Sequence, residues 1–153
     1  MFIAVICGCI DAGAHSIGVS HCTSFVTRLY NFSTMIPTDP SLDPMLADIL
    51  KKKCPQGIPS NNITTVFMDT YTPETIDNLY YKGLLKKHGL FTSDATLLTD
   101  RNTATVVKAS AGRHHLRTWQ ERFAAAMVSM GRIIELTGNE GEIRRKCSVI
   151  NSS

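Results

Sequence analysis

The 153-residue sequence predicts a mainly α-helical chain with long loops and little or no sheet. Three observations carry that expectation. Apolar residues recur at three- and four-residue steps in several segments. Helix start and stop signals bracket those segments, and no convincing run of alternating apolar and polar residues marks a strand.

The elements follow in order. Asp43-Pro44 reads as an N-cap with proline at the first helical position, ahead of Met45, Leu46, Ile49 and Leu50. The lysines at 51–53 suit the negative end of that helix, and Cys54-Pro55 stops it. Thr72-Pro73 repeats the start signal, Ile76, Leu79, Tyr80 and Leu84 form a stripe, and Lys86-Lys87-His88-Gly89 closes it. Ser93-Asp94 opens a short turn through Leu97-Leu98, and residues 103–111 form a further helix ended by Gly112. The strongest periodicity starts at Thr118, where Trp119, Phe123, Met127, Met130 and Ile134 recur as a core-facing stripe. Between these lie two loops, 33–44 and 55–66, rich in proline, glycine, aspartate and asparagine.

At 43% hydrophobic and 19% charged, the composition is that of one globular domain or part of a larger one, which excludes a wholly disordered chain. Net charge is +3, and residues 1–50 contribute only Arg28 to the basic total against four aspartates. The basic runs at 51–53 and 144–146 are not interleaved with aromatics and read as solvated faces, so nucleic acid is not an expected partner. The longest apolar run, residues 2–10, is broken by Gly8 and is too short to span a membrane. It resembles a signal h-region, but no Lys or Arg precedes it, and no working signal peptide is read from it. Five cysteines, Cys7, Cys9, Cys22, Cys54 and Cys147, offer no zinc spacing. With N-x-[S/T] sequons at Asn31, Asn62 and Asn151 they lean towards an oxidising, secretory compartment.

Two constellations could carry chemistry. His15 stands among small residues in Gly13-Ala14-His15-Ser16-Ile17-Gly18, which leaves space over its imidazole for a flat cofactor or a close backbone. A metal-ligating imidazole needs an acceptor for its other N–H, and Asp94 is one candidate among thirteen acids. The second constellation runs from Asp69 to Asp77, with Thr70, Thr72 and Thr75 around a proline. Oxygen-rich sets of that kind suit calcium, and the plainer alternative is helix capping by Thr72 beside a surface acid. No nucleophile elbow, P-loop, dinucleotide fingerprint or zinc-protease motif occurs.

Taken together, the ordered motifs reach further. Gly13-Ala14-His15-Ser16-Ile17-Gly18 with His21-Cys22, then Arg28-Leu29-Tyr30-Asn31-Phe32, Asp39-Pro40-Ser41-Leu42-Asp43 and Lys53-Cys54-Pro55 form the first group. Met68-Asp69, Thr72, Asp77-Asn78, Tyr80-Tyr81, Lys86, Gly89-Leu90-Phe91, Ser93-Asp94 and Leu97-Leu98 form the second. Met127, Met130-Gly131, Leu136-Thr137-Gly138, Gly141-Glu142-Ile143-Arg144 and Cys147 form the third. This array resembles the plant secretory (class III) haem peroxidases, the horseradish-peroxidase type, and within them the C-terminal, proximal half.

The resemblance implies a set of roles. His15 is the expected axial ligand of haem b (iron protoporphyrin IX), with Asp94 accepting its second N–H and lending the imidazole anionic character. Ser16, Asp69, Thr72, Thr75 and Asp77 are the expected calcium ligands, Thr75 through its carbonyl. Cys22 and Cys54 are the expected disulfide. The implied activity is reduction of hydrogen peroxide with oxidation of phenolic donors, in a monomeric secreted or vacuolar protein of the oxidative-stress response.

The departures also yield expectations. The family's distal R-x-x-F-H-x-C motif does not occur, so no distal catalytic residue is expected in this chain. Residues 1–12 fall outside the resemblance, 13–151 carry it, and 152–153 form a tail. Cys7 and Cys9 have no family counterpart, and Cys147 is expected to lack its family partner. The simplest account is a truncated or mis-predicted gene product whose first dozen residues are not family sequence, with weak haem affinity, a tendency to aggregate and little turnover. The alternative functions are a non-enzymatic haem- or calcium-binding remnant, or a haem-free secreted interaction module.

Overall fold

A computed structural model describes residues 10, 12–57, 59, 62–112, 116–133, 136 and 138–151. Six α-helices are described: α1 Val26–Tyr30, α2 Pro44–Lys53, α3 Leu79–Leu85, α4 Thr92–Thr96, α5 Arg101–Ser110 and α6 Leu116–Gly131. Short 3-10 turns at Ala12–Ser16 and Cys22–Ser24 precede them, and another follows at Gly138–Glu140. The chain is mainly helical, as expected. Sheet is confined to one antiparallel pair, β1 Val19–His21 against β2 Thr65–Phe67, with Val19 opposite Phe67 and His21 opposite Thr65.

Helix α2 forms as its sequence dictates. The Asp43 side chain accepts from the Leu46 N–H at 2.9 Å, Pro44 occupies the first turn, and the three lysines lie in the last. The Thr72-Pro73 start signal fails. Residues 72–78 remain a loop because Thr72 turns its hydroxyl to Asp69 and Asp77 instead of to its own backbone. Helix α3 begins only at Leu79, where Asp77 Oδ1 accepts the Leu79 N–H at 2.7 Å.

Two apolar clusters organise the chain. Cys22, Phe25, Leu29, Leu42, Ala47, Leu50, Cys54, Val66 and Leu90 form the first. Tyr80, Tyr81, Leu84, Val107, Trp119, Ala126 and Ile10 form the second. The α6 stripe is core only at its start. Trp119 and Ala126 are buried and Phe123 half-buried, but Met127 and Met130 reach the surface, because the described residues cover only a narrow strip along this helix. Ile134 lies outside the described residues.

Candidate functional site

The first site forms where the two clusters meet. Asp94 sits in the first turn of α4, and its Oδ2 accepts the Phe91 N–H at 2.8 Å, satisfying a donor that a helix start leaves without a partner. That anchor turns the other oxygen inward. Asp94 Oδ1 accepts from His15 Nδ1–H at 2.9 Å and from the Tyr80 hydroxyl at 2.6 Å. The carboxylate is 1% exposed, so three donors replace the water it gives up. Burial, reinforced by the charge of Asp94, pushes the Tyr80 phenol far above its ordinary range, which keeps it a neutral donor.

His15 rides on the Ala12–Ser16 turn, and its ring lies 4.8 Å from Phe91 and 6.2 Å from Tyr80 between centroids. Its side chain is 32% exposed, and Nε2 makes no hydrogen bond to any described residue. The result is an imidazole fixed from behind and open in front, ready to give a nitrogen lone pair to a Lewis acid.

Two glycines allow this arrangement by close approach. A Cβ on Gly89 would meet the Asp94 Cβ at 2.6 Å, and one on Gly13 would meet Trp119 and the Tyr81 hydroxyl at 2.7 and 2.8 Å. Gly13, two residues before His15, therefore seats the turn on aromatic side chains. Trp119 and Tyr81 fill the space beside Gly13, while the front of the His15 ring stays open.

A buried clasp that sequence reasoning missed stands behind the site. Arg28, 2% exposed on α1, donates Nε–H to Asp39 at 2.7 Å. One terminal nitrogen reaches the carbonyls of Gly89, Leu90 and Phe91 at 2.8–2.9 Å, and the other reaches Ser41 Oγ at 2.9 Å. Arg28 thus fixes the backbone from which Asp94 projects. Burial would raise the Asp39 pKa, but hydrogen bonds from Ser41 and Arg28 outweigh it and hold the carboxyl below its ordinary value. The available signal was Arg28 itself, the one cation among the first fifty residues.

The second constellation also assembles. Asp69 is 2% and Asp77 8% exposed, which rules out the surface-acid alternative. Thr72 Oγ1 lies 3.2 Å from Asp69 Oδ2 and 3.1 Å from Asp77 Oδ1. A hydroxyl has one proton, so it can satisfy only one of these two carboxylates at a time. Neither acid has a cationic partner among the described residues, and burial with the Asp77 charge raises the Asp69 pKa above its ordinary value. Ser16 is fully buried, and its Oγ has no hydrogen-bond partner among the described residues. The residues after Ser16 join this loop, through an Ile17–Glu74 bridge and a bond from Gly18 N–H to the Pro73 carbonyl at 3.3 Å. Thr75 lies in the same turn with its N–H on the Thr72 carbonyl, and its side chain is exposed. Such an oxygen set, short of positive charge, fits a hard divalent cation.

Cys22 and Cys54 form a disulfide inside the first cluster, with Cα atoms 5.5 Å apart. Cys147 is a free, exposed thiol. Cys7, Cys9, His114 and His115 lie outside the described residues. Of the sequons, Asn31 is exposed, while Asn62 and Asn151 are half-buried with their side-chain oxygens bonded to Thr64 N–H and Arg145 N–H.

Comparison with known proteins places the sequence in a family. The peroxidase family model covers residues 9–113. The chain belongs to the peroxidase family. Among its curated relatives, this peroxidase chain is 50% identical over 141 residues to "Peroxidase 5" of Vitis vinifera, covering 92% of itself and 42% of that protein. It is 42% identical over 141 residues to "Peroxidase 55" of Arabidopsis thaliana, again over 92% of itself and 41% of the relative. "Peroxidase 39" of Arabidopsis thaliana is 45% identical over 140 residues, with coverage of 92% and 42%. The peroxidase chain thus spans about two-fifths of the length of these relatives. The haem that the family implies fits the residues present: His15 offers an uncommitted Nε2 on a half-exposed ring whose Nδ1 is already bound.

Proposed function

We propose that residues 13–151 form the proximal, haem-ligand part of a class III peroxidase of the horseradish type, which reduces hydrogen peroxide and oxidises phenolic donors. The observation that carries this reading is the bond from His15 Nδ1 to buried Asp94. His15 would hold the iron of haem b through Nε2. Haem supplies the redox chemistry when bound. Asp94 withdraws the Nδ1 proton from the ring and raises its basicity, favouring the higher oxidation state of the metal it holds. Tyr80 shares Asp94 Oδ1 with His15, which limits how far that proton is drawn. The disulfide supports a secreted or vacuolar location.

Haemin titration tests the role of His15. The chain is expected to give a weak Soret shift that His15→Ala abolishes, and Asp94→Asn is expected to weaken binding roughly 10–100-fold. No Phe-His pair occurs in the sequence, so turnover with peroxide is expected to stay at the level of free haemin. His15-dependent turnover far above that control would overturn the expectation that the distal acid–base groups lie outside these residues.

Calcium binding is the second reading, favoured by the Ser16 Oγ, which has no partner among the described residues, and by the Thr72 hydroxyl caught between two carboxylates. Ser16, Asp69, Thr72, Asp77 and the Thr75 carbonyl would hold the ion. At a hundred times the dissociation constant, calcium would stabilise the fold by about 2.7 kcal/mol. Thermal melts with calcium and with a chelator check this. Asp77→Asn keeps an oxygen for the Leu79 N–H while removing the charge, so it should abolish the calcium-dependent rise. An equal rise in that variant would rule the site out. This reading survives failure of the haem reading, and would leave the chain as a non-enzymatic calcium-binding module.

A further inference from the structure

Helix α2 and the segment running on from β2 enclose a cleft of about 570 Å³, within the size range of small-molecule sites. His15, Tyr80, Phe91 and Asp94 do not line it, and of Ser16, Asp69, Thr72, Thr75 and Asp77 it shares only Asp69. Its walls are apolar where a solvated surface would be polar. Met45 and Ile49, four residues apart on one face of α2, are 77% and 52% exposed, and Phe67 is 47% exposed. One end is a preformed aromatic platform. Tyr71 stacks on His88 at 5.8 Å and 19° between planes, and the Thr70 hydroxyl bonds His88 Nδ1 at 3.1 Å.

The charge in the cleft is unbalanced. Lys53 and Lys86 line it, and neither has a carboxylate within ion-pairing distance among the described residues. Lys86 Nζ instead hovers 5.9 Å from the Tyr71 ring centroid. The two acids of the lining are already engaged: Asp43 caps α2, and Asp69 accepts from Tyr71 N–H and faces Thr72. Apolar walls, an aromatic platform and two unneutralised ammonium groups select a ligand that is flat, apolar and anionic at one end.

We propose that this cleft is a binding site for a small aromatic carboxylate, separate from the His15 site. The aromatic ring lies along Met45, Ile49 and Phe67 against Tyr71, and the carboxylate meets Lys86 and Lys53.

Equilibrium dialysis of the full chain with 2-naphthoate tests this, since that probe is fluorescent and has no phenol to serve as an electron donor. Saturable one-site binding is expected, with the neutral analogue 2-naphthalenemethanol at least tenfold weaker. Lys86→Gln and Ile49→Ser each change an exposed side chain and should each weaken 2-naphthoate about tenfold with an unchanged circular dichroism spectrum. His15→Ala should leave binding as it is. Non-saturable uptake, indifference to both cleft substitutions, or loss of binding in His15→Ala would each overturn the proposal. The last outcome would move the ligand to the His15 face.

Discussion

Arg28→Met is expected to destabilise the chain by about 3–5 kcal/mol, because it removes one partner of a buried ion pair and leaves the other unpaired. Asp39 is 3% exposed and would keep its charge with only Ser41 to answer it. The Gly89, Leu90 and Phe91 carbonyls would lose their shared donor at the same moment. Total stabilities of domains are about 5–15 kcal/mol, so such a loss is a large fraction of the whole. Urea denaturation measures it. The double variant Arg28→Met/Asp39→Asn should recover part of the loss, since it removes the stranded charge; no recovery would show that the carbonyl contacts, and not the ion pair, carry the effect. The pH dependence follows from the same pair. Asp39 has a folded-state pKa below its ordinary value of 3.8, so its contribution is complete above 3.8 and disappears as pH falls through the lower, folded-state value. Asp39→Asn should flatten that acid limb.

Cys22→Ala/Cys54→Ala is expected to cost about 3–4 kcal/mol in the chain-entropy model. The two cysteines are 32 positions apart, and the loop they close contains Arg28, Asp39 and all of α1. The bond also pins the end of α2, where Cys54 N–H bonds the Leu50 carbonyl and the Tyr30 hydroxyl bonds the Cys54 carbonyl. Both sulfurs are fully buried in the first apolar cluster, so the double variant leaves a small void as well. Thermal melts with and without a thiol reductant check the expectation. Reductant should lower the melting temperature of the natural chain and leave the double variant unmoved. Because Arg28, Asp39 and Ser41 lie inside the closed loop, the disulfide and Arg28 losses should not add, and a combined variant reads the coupling.

How much of this was legible in the sequence depended on the range of the interaction. Helix α2 was legible because its determinants are local: Asp43 caps the N–H three residues on, Pro44 suits the first turn, and lysines meet the last carbonyls. The beginning of α6 was legible from the spacing of Trp119 and Phe123. The Thr72-Pro73 signal misled although the interaction is local: carboxylates three and five positions away compete for the threonine hydroxyl, and the start signal alone does not contain that competition. The exposure of Met127 and Met130 was equally out of reach, since periodicity shows which face is apolar and not whether anything covers it.

The sequence by itself determined a mainly helical chain, and through the resemblance carried by its motifs it pointed to a peroxidase, to His15 with Asp94, to the oxygen cluster and to the Cys22–Cys54 bond. The tertiary structure alone decided what holds those residues in place. His15 and Asp94 are 79 positions apart, and the carbonyls that Arg28 grips are 61–63 positions from it. Contacts of that span leave no periodic trace, because they depend on where two chain segments meet in space and on which buried charge has no water left to answer it. The cleft beside α2 belongs to the same class: Lys86, Tyr71, Phe67 and Ile49 become neighbours of one cavity only once the helix and the strand have packed.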